Sequence, residues 1–365
     1  MSPTPVASDR SLLRRLPKAE LHCHLDGSVR PETLLELAKE YKVTMPRDDV
    51  DALRDYMRVD DARSLEDYLM RFDTTLSVMQ TEDALERIAY ELALDVAAEG
   101  VRYIEMRYAP PLNTLQGLTL EQAVEAPLRG IARAQREANV TARVIVCSLR
   151  HYDPATSLQL AKLAVSYRDR GVVGFDLAGG EIGNPASRHA AAFAYCTEHG
   201  LACTCHAGEG DGAESIRQAV HDCHAHRIGH ATRLLEDPTL ADEIHERGIA
   251  LELCLTSNVQ TRATERYETH PLKQFLARGM NVCLNTDNRL MSATTLVDEY
   301  HHAAVSCDCT FDELAGMALD GFRSSFLPDD EKVALVASMA LEIDALRRGH
   351  PLPSADLTRP DTRGA

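Results

Sequence analysis

Short apolar runs alternate along the chain with longer stretches of helical period. The runs cover residues 19–24, 101–108, 142–149, 172–178, 201–206, 227–230, 250–255 and 281–285. In several of them Val, Ile, Leu and Cys stand on consecutive positions, as in strands covered by helices on both faces. Helices are predicted between them, over 31–41, 81–99, 119–139, 187–199, 212–223 and 238–247. Gly100, Asn139, Gly200, Gly248 and Gly279 stand where a helix stops before the next run, because glycine and asparagine accept the left-handed turn at little cost. Pro31 and Pro238 suit first-turn positions. About eight strands separated by helices is the count of a (β/α)8 TIM barrel. An open doubly wound sheet is the structural rival. The strands carry no G-x-G-x-x-G and no G-x-x-x-x-G-K-[ST] to recommend it.

One domain is expected over residues 10–348, with a flexible tail over 349–365. Residues 49–80 form a helical insertion after the first β/α unit. Leu65, Tyr68, Leu69, Phe72 and Leu76 recur there at three-to-four spacing. Such a stripe packs a helix on the barrel, or makes a hydrophobic lid over its mouth.

The chemistry of a barrel of this kind gathers at the C-terminal ends of its strands. The first run ends His22-Cys23-His24-Leu25-Asp26-Gly27 and the fourth Asp176-Leu177-Ala178-Gly179-Gly180-Glu181. The fifth ends His206-Ala207-Gly208-Glu209 and the sixth His230-Ala231-Thr232. Thr256-Ser257-Asn258 and Asn285-Thr286-Asp287-Asn288 close the seventh and eighth. His22 and His24 are two apart, so on a strand both imidazoles face the barrel interior. Nitrogen from His206 and oxygen from Asp287 would complete an N3O set suited to Zn2+, and Fe2+ or Mn2+ accept the same mixture. Each residue alone has a plainer use: Asp287 as the cap of a helix starting near Met291, His230 as a core histidine, Glu209 as a loop acid. Their meeting at matching strand ends is what argues for a metal site.

Lys and Arg number 39 against 56 Asp and Glu, a net charge of −17 over 365 residues. That excess argues against nucleic acid or an anionic membrane surface as the main partner and leaves room for a small neutral or weakly cationic substrate. No run approaches the roughly 18 apolar residues of a membrane span. With no export signal apparent, the 10 scattered cysteines read as free thiols and the location as cytoplasmic.

Taken in order and spacing, the strand-end motifs, together with Arg227-Ile228-Gly229-His230 and the segment from Thr256 to Gln260, resemble the adenosine deaminase family of metal-dependent amidohydrolase barrels. The resemblance covers about residues 16 to 345. It implies one Zn2+ on His22, His24, His206 and Asp287. Glu209 would protonate purine N1, and His230 would orient the attacking water and help deprotonate it. Asp287 would both bind metal and accept a hydrogen bond from the attacking oxygen. On the substrate side stand His24, Asp26 at the ribose hydroxyls, the Gly179 backbone near N3, and Asn288 at N7. The implied reaction converts adenosine or 2′-deoxyadenosine to inosine or 2′-deoxyinosine plus ammonia. Relatives that act on free adenine typically carry Glu in place of Asp26, and near relatives deaminate 6-amino-6-deoxyfutalosine. A catalytically silent zinc-binding protein would not need Glu209 and His230. Two positions depart from the family pattern: Asn288 replaces a frequent second Asp, and Ala231 a usual Gly. Asn donates to N7 at any pH. The Ala231 methyl would crowd the backbone if φ is positive there.

Overall fold

The structure is a computed structural model, and it describes residues 7–60 and 68–349. Eight strands pair in parallel in chain order. They are β1 (Lys18–His24), β2 (Val101–Tyr108), β3 (Thr141–Leu149), β4 (Val172–Ala178), β5 (Ala202–Ala207), β6 (Arg227–His230), β7 (Ala250–Leu253) and β8 (Val282–Leu284). Helices connect successive strands, giving the expected (β/α)8 architecture. β2, β4 and β6 begin and end where the apolar runs do. β7 stops at Leu253 although its apolar run continues to Leu255, because the chain turns there into the short helix Leu255–Gln260. Apolarity does not mark that break, since both elements are buried.

The ring closes between β1 and the segment after β8. Cys23 and Asp287 form a parallel bridge. The His24 N–H donates to the Asp287 carbonyl at 2.7 Å, and the Asp287 N–H to the His22 carbonyl at 2.9 Å. The side-chain oxygen of Asn285 accepts from the backbone N–H groups of Leu21 and His22 at 2.7 and 3.1 Å. Closing the barrel therefore sets His22, His24 and Asp287 side by side. The first α-helix after this closure is Leu296–Val305, capped reciprocally by Thr295 and Asp298. The cap reading of Asp287 falls with that.

The insertion contains the helices Val50–Met57 and Phe72–Leu76. Leu65 lies outside the described residues, as does the expected tail beyond Gly349. Tyr68 is buried, and its hydroxyl lies 2.9 Å from Ser292 Oγ on the segment after β8. All 10 cysteines are free and buried. Among the described residues no helix is long and apolar enough to cross a membrane.

Candidate active site

Nε2 of His24 lies 3.1 Å from Nε2 of His206 and 3.3 Å from Oδ1 of Asp287. Nε2 of His22 lies 3.4 Å from that same oxygen. Donors bound tetrahedrally at 2.0–2.1 Å from one Zn2+ stand about 3.3 Å apart, so this spacing fits a single ion of that size. His22 Nε2 is buried with no hydrogen-bond partner, as a lone pair kept for a cation would be. The four ligands expected from the sequence thus converge. His230 also brings a ligand atom within 4.8 Å of those of His22, His206 and Asp287.

The ring orientations are fixed from behind. His22 donates its Nδ1–H to Glu252 Oε2 at 2.9 Å, and His206 donates Nδ1–H to Asp176 at 3.1 Å. Each imidazole is left with its Nε2 lone pair facing the site. Arg107 holds both carboxylates, reaching Glu252 at 2.9 Å and Asp176 at 3.0 Å. Ser257 donates to Asp287 Oδ2 at 2.6 Å. Burial holds His24, His206 and His230 below the ordinary histidine range, which keeps them neutral. Burial and Arg107 push His22 the same way, but the Asp287 and Glu252 carboxylates outweigh them and raise it. Asp287 has a φ of +60°, uncommon for a residue other than glycine and typical of strain held at a functional position.

Glu209 sits on the turn after β5. The Glu181 carboxylate accepts the backbone N–H groups of Gly208, Glu209 and Gly210 at 2.8–2.9 Å, which fixes that turn. Thr261 donates to Glu209 Oε1 at 2.9 Å, and His230 Nε2 lies 3.5 Å from Oε2. Glu209 and three of the candidate metal donors, His24, His206 and Asp287, border one cavity of about 260 Å³. Tyr68, Leu69, Phe72 and Leu76 of the insertion also line it, so the apolar stripe is a wall of the site. Asp26, Asp73, His151, Gly179, His230 and Asn288 also line it. Oδ1 of Asp26 and Oδ1 of Asn288 are buried without hydrogen-bond partners. Burial pushes the Asp26 carboxyl up to about 7. Gly27 has to be glycine: a Cβ there would stand 1.8 Å from Asn288 Oδ1. Ala231 has a φ of +53°, directly after His230 at +65°, so its methyl sits in the strained conformation foreseen for this position.

Glu252, Thr261 and Arg107 have parts in this arrangement that the sequence did not disclose. Glu252 and Arg107 lie inside strands that read only as buried runs. Asp176, Glu181, Ser257 and Asn258 stood in the strand-end motifs without an assigned partner.

A profile described as adenosine deaminase matches residues 17–341 of the chain. An adenosine deaminase 1 of Streptomyces coelicolor is 41% identical over 354 residues, 92% of this chain and 88% of that protein. Among solved structures, an adenine deaminase from Arthrobacter aurescens superposes with a TM-score of 0.84 at 28% identity, covering 90% of this chain and 99% of that one. An amidohydrolase from Burkholderia ambifaria with bound Zn superposes equally well, at 0.84 and 26% identity, covering 96% of each chain. A family match over residues 17–341, joined by a relative 41% identical over 92% of this chain, places this chain in the adenosine deaminase family.

Proposed function

We propose that the protein is a hydrolase that deaminates a 6-aminopurine nucleoside, adenosine or 2′-deoxyadenosine, with one Zn2+ held by His22, His24, His206 and Asp287. The observation that carries this reading is the shared cavity: His24, His206 and Asp287, the buried acid Glu209 and the neutral His230 all border one space, with His22 Nε2 3.4 Å behind Asp287 Oδ1. A metal ion there supplies a Lewis acid that lowers the pKa of a bound water from near 16 toward about 7.

The remaining chemistry belongs to side chains. Carbon 6 of an aminopurine is a poor electrophile until N1 is protonated. Glu209 supplies that proton, and a purine stacked over it would exclude water and favour its neutral form. Water oxygen then bonds to C6, the C6–N6 bond breaks, ammonia departs and the 6-oxo purine remains. His230 and Asp287 orient the attacking oxygen. Asn288 faces N7, the Gly179 backbone faces N3, and His24 borders both metal and substrate.

Asp26 favours a nucleoside over the free base, because its unpartnered Oδ1 is an acceptor waiting for ribose hydroxyls. No Lys or Arg lines the cavity among the described residues, while Asp26 and Asp73 do. Among the described residues a 5′-phosphate would meet these two carboxylates and no Lys or Arg, which favours a nucleoside over a nucleotide. The likeness to an adenine deaminase supports free adenine as the second reading.

The test is to offer zinc-replete protein adenosine, 2′-deoxyadenosine, adenine and 6-amino-6-deoxyfutalosine side by side and follow loss of the aminopurine absorbance. Turnover of the nucleosides is expected. Adenine alone being consumed would overturn the role of Asp26, and consumption of none would overturn the enzymatic reading.

A further inference from the structure

The neutral form of His230 has two tautomers, and they do opposite things at this site. With the proton on Nδ1, the Nε2 lone pair faces Glu209 and the metal-facing donors, where it can bind a cation or take a proton. With the proton on Nε2, the ring can only donate there. A ligand atom of His230 comes within 4.8 Å of those of His22, His206 and Asp287, so the choice decides whether it is a ligand or a hydrogen-bond donor.

A chain of hydrogen bonds makes that choice, and it starts from an unambiguous donor. The backbone N–H of Leu272 donates to His270 Nδ1 at 3.1 Å. His270 Nδ1 is therefore an acceptor, and its proton sits on Nε2. That Nε2–H donates to Asn258 Oδ1 at 3.2 Å. With its oxygen so engaged, Asn258 turns its Nδ2 toward His230 and donates to Nδ1 at 2.9 Å. His230 Nδ1 then accepts, which leaves its proton on Nε2, the atom 3.5 Å from Glu209 Oε2. His270, Asn258 and His230 are all buried, so water does not compete for these groups. Burial also pushes His270 down to about 3, which keeps it in the neutral form that the chain requires.

We propose that His270 and Asn258 are positioning residues that hold neutral His230 as the Nε2–H tautomer, so that it faces the attacking oxygen as a donor and is kept off the metal. This rests on the catalytic reading above and sharpens it. His230 steadies the attacking oxygen by donating to it and does not take its proton at Nε2. The acceptor for that proton is then Asp287.

Asn258→Asp is the decisive substitution. It is nearly isosteric, and its carboxylate still accepts from His270. It can only accept from His230, so it moves the proton to Nδ1 and frees Nε2. His270→Gln is the conservative rescue, since an amide can accept from Leu272 and donate to Asn258. The tautomer is read directly by long-range 1H–15N correlation on zinc-loaded protein with 15N-labelled histidine, the His230 signals being assigned by their loss in His230→Gln. Expected are a protonated Nε2 and bare Nδ1 in the parent and in His270→Gln, and the reverse in Asn258→Asp. Removing one preorganised donor costs about 10²–10³ in kcat. Asn258→Asp should fall in that range with KM little changed, and His270→Gln should stay near the parent. A parent His230 protonated on Nδ1 overturns the proposal even if Asn258→Asp fails to fold. So does an Asn258→Asp variant that turns over at the parent rate. Activity on aminopurines with Nδ1–H would refute the relay alone. Nε2–H in a protein that deaminates nothing would keep the relay and refute the catalytic reading.

Discussion

Two tiers of buried charge lie one above the other inside the barrel, and they differ in whether the charges find partners within the protein. In the lower tier, Arg227 donates to Glu252 at 2.6 Å and pairs with Glu105 at 2.5 Å. Glu105 also accepts from Tyr103 and from the Phe326 N–H, both at 2.7 Å. Glu252 accepts from Arg227, Thr204, His22 and Arg107. Every carboxylate oxygen of Glu105, Glu252 and Asp176 has a donor, and in this tier Arg107 Nε is buried without a partner. In the upper tier, His22 Nε2, Asp26 Oδ1 and Asn288 Oδ1 are buried and have none. An unpaired buried polar group costs about 1–3 kcal/mol, so a protein tolerates several in one place only when something else is meant to complete them. The lower tier is structural and holds the ligand side chains in orientation. The upper tier is what the proposed metal and substrate would complete.

Breaking the upper tier at its acid should have the largest effect. Glu209→Gln should lower turnover about 10²–10⁴-fold while zinc content, measured by atomic absorption, stays at the parent level. Zinc retained together with near-parental turnover would remove Glu209 from the chemistry. Glu252 belongs to both tiers, and its loss should therefore show both kinds of damage. Glu252→Gln leaves Arg107 and Arg227 undercompensated and should cost about 3–5 kcal/mol of stability. It should also weaken zinc affinity about 10–100-fold through His22. Glu105→Gln should cost stability on the same order with zinc affinity unchanged, and a matching loss of zinc affinity there would erase the distinction between the tiers.

Asp26 tests the upper tier in the opposite sense, since an unpartnered buried carboxyl should destabilise the metal-free protein. Its folded pKa of about 7 lies above the unfolded value of 3.8, so between these the folded state binds more protons and stability falls as pH rises. Asp26→Asn should abolish that slope and gain up to about 4 kcal/mol at neutral pH in chelator-treated protein, read by urea unfolding at several pH values. Unchanged pH dependence would mean that the carboxyl is satisfied after all. Ala231→Gly should have the smallest effect. Relief of a left-handed alanine, worth about 1–2 kcal/mol, is offset by losing a buried methyl, about 0.8 kcal/mol, and by the entropy of glycine, about 0.5–1 kcal/mol. A net change below about 1 kcal/mol in the denaturation midpoint is expected, and a loss well beyond it would show that the methyl packs against something essential.

The periodicity of apolar positions determined the eight strands and the barrel, because a strand buried on both faces has a composition that no exposed element shares. It also placed His22, His24, Asp26, Glu209, His230 and Asp287 at one end, since side chains at strand ends point where the strands lead. Only the folded chain decided the rest. Glu252 and Arg107 lie within strands, and nothing local marks a buried charge until its partner arrives from another strand; His22 and Glu252 are 230 residues apart. His270 precedes a proline in a connecting segment and carries no signal of its own, and its meaning comes from Asn258 on one side and the Leu272 amide on the other. Spacing along a chain reports which way a side chain faces. Tautomer, charge and ligand geometry depend on which groups meet across the barrel, and that is settled only when the ring closes.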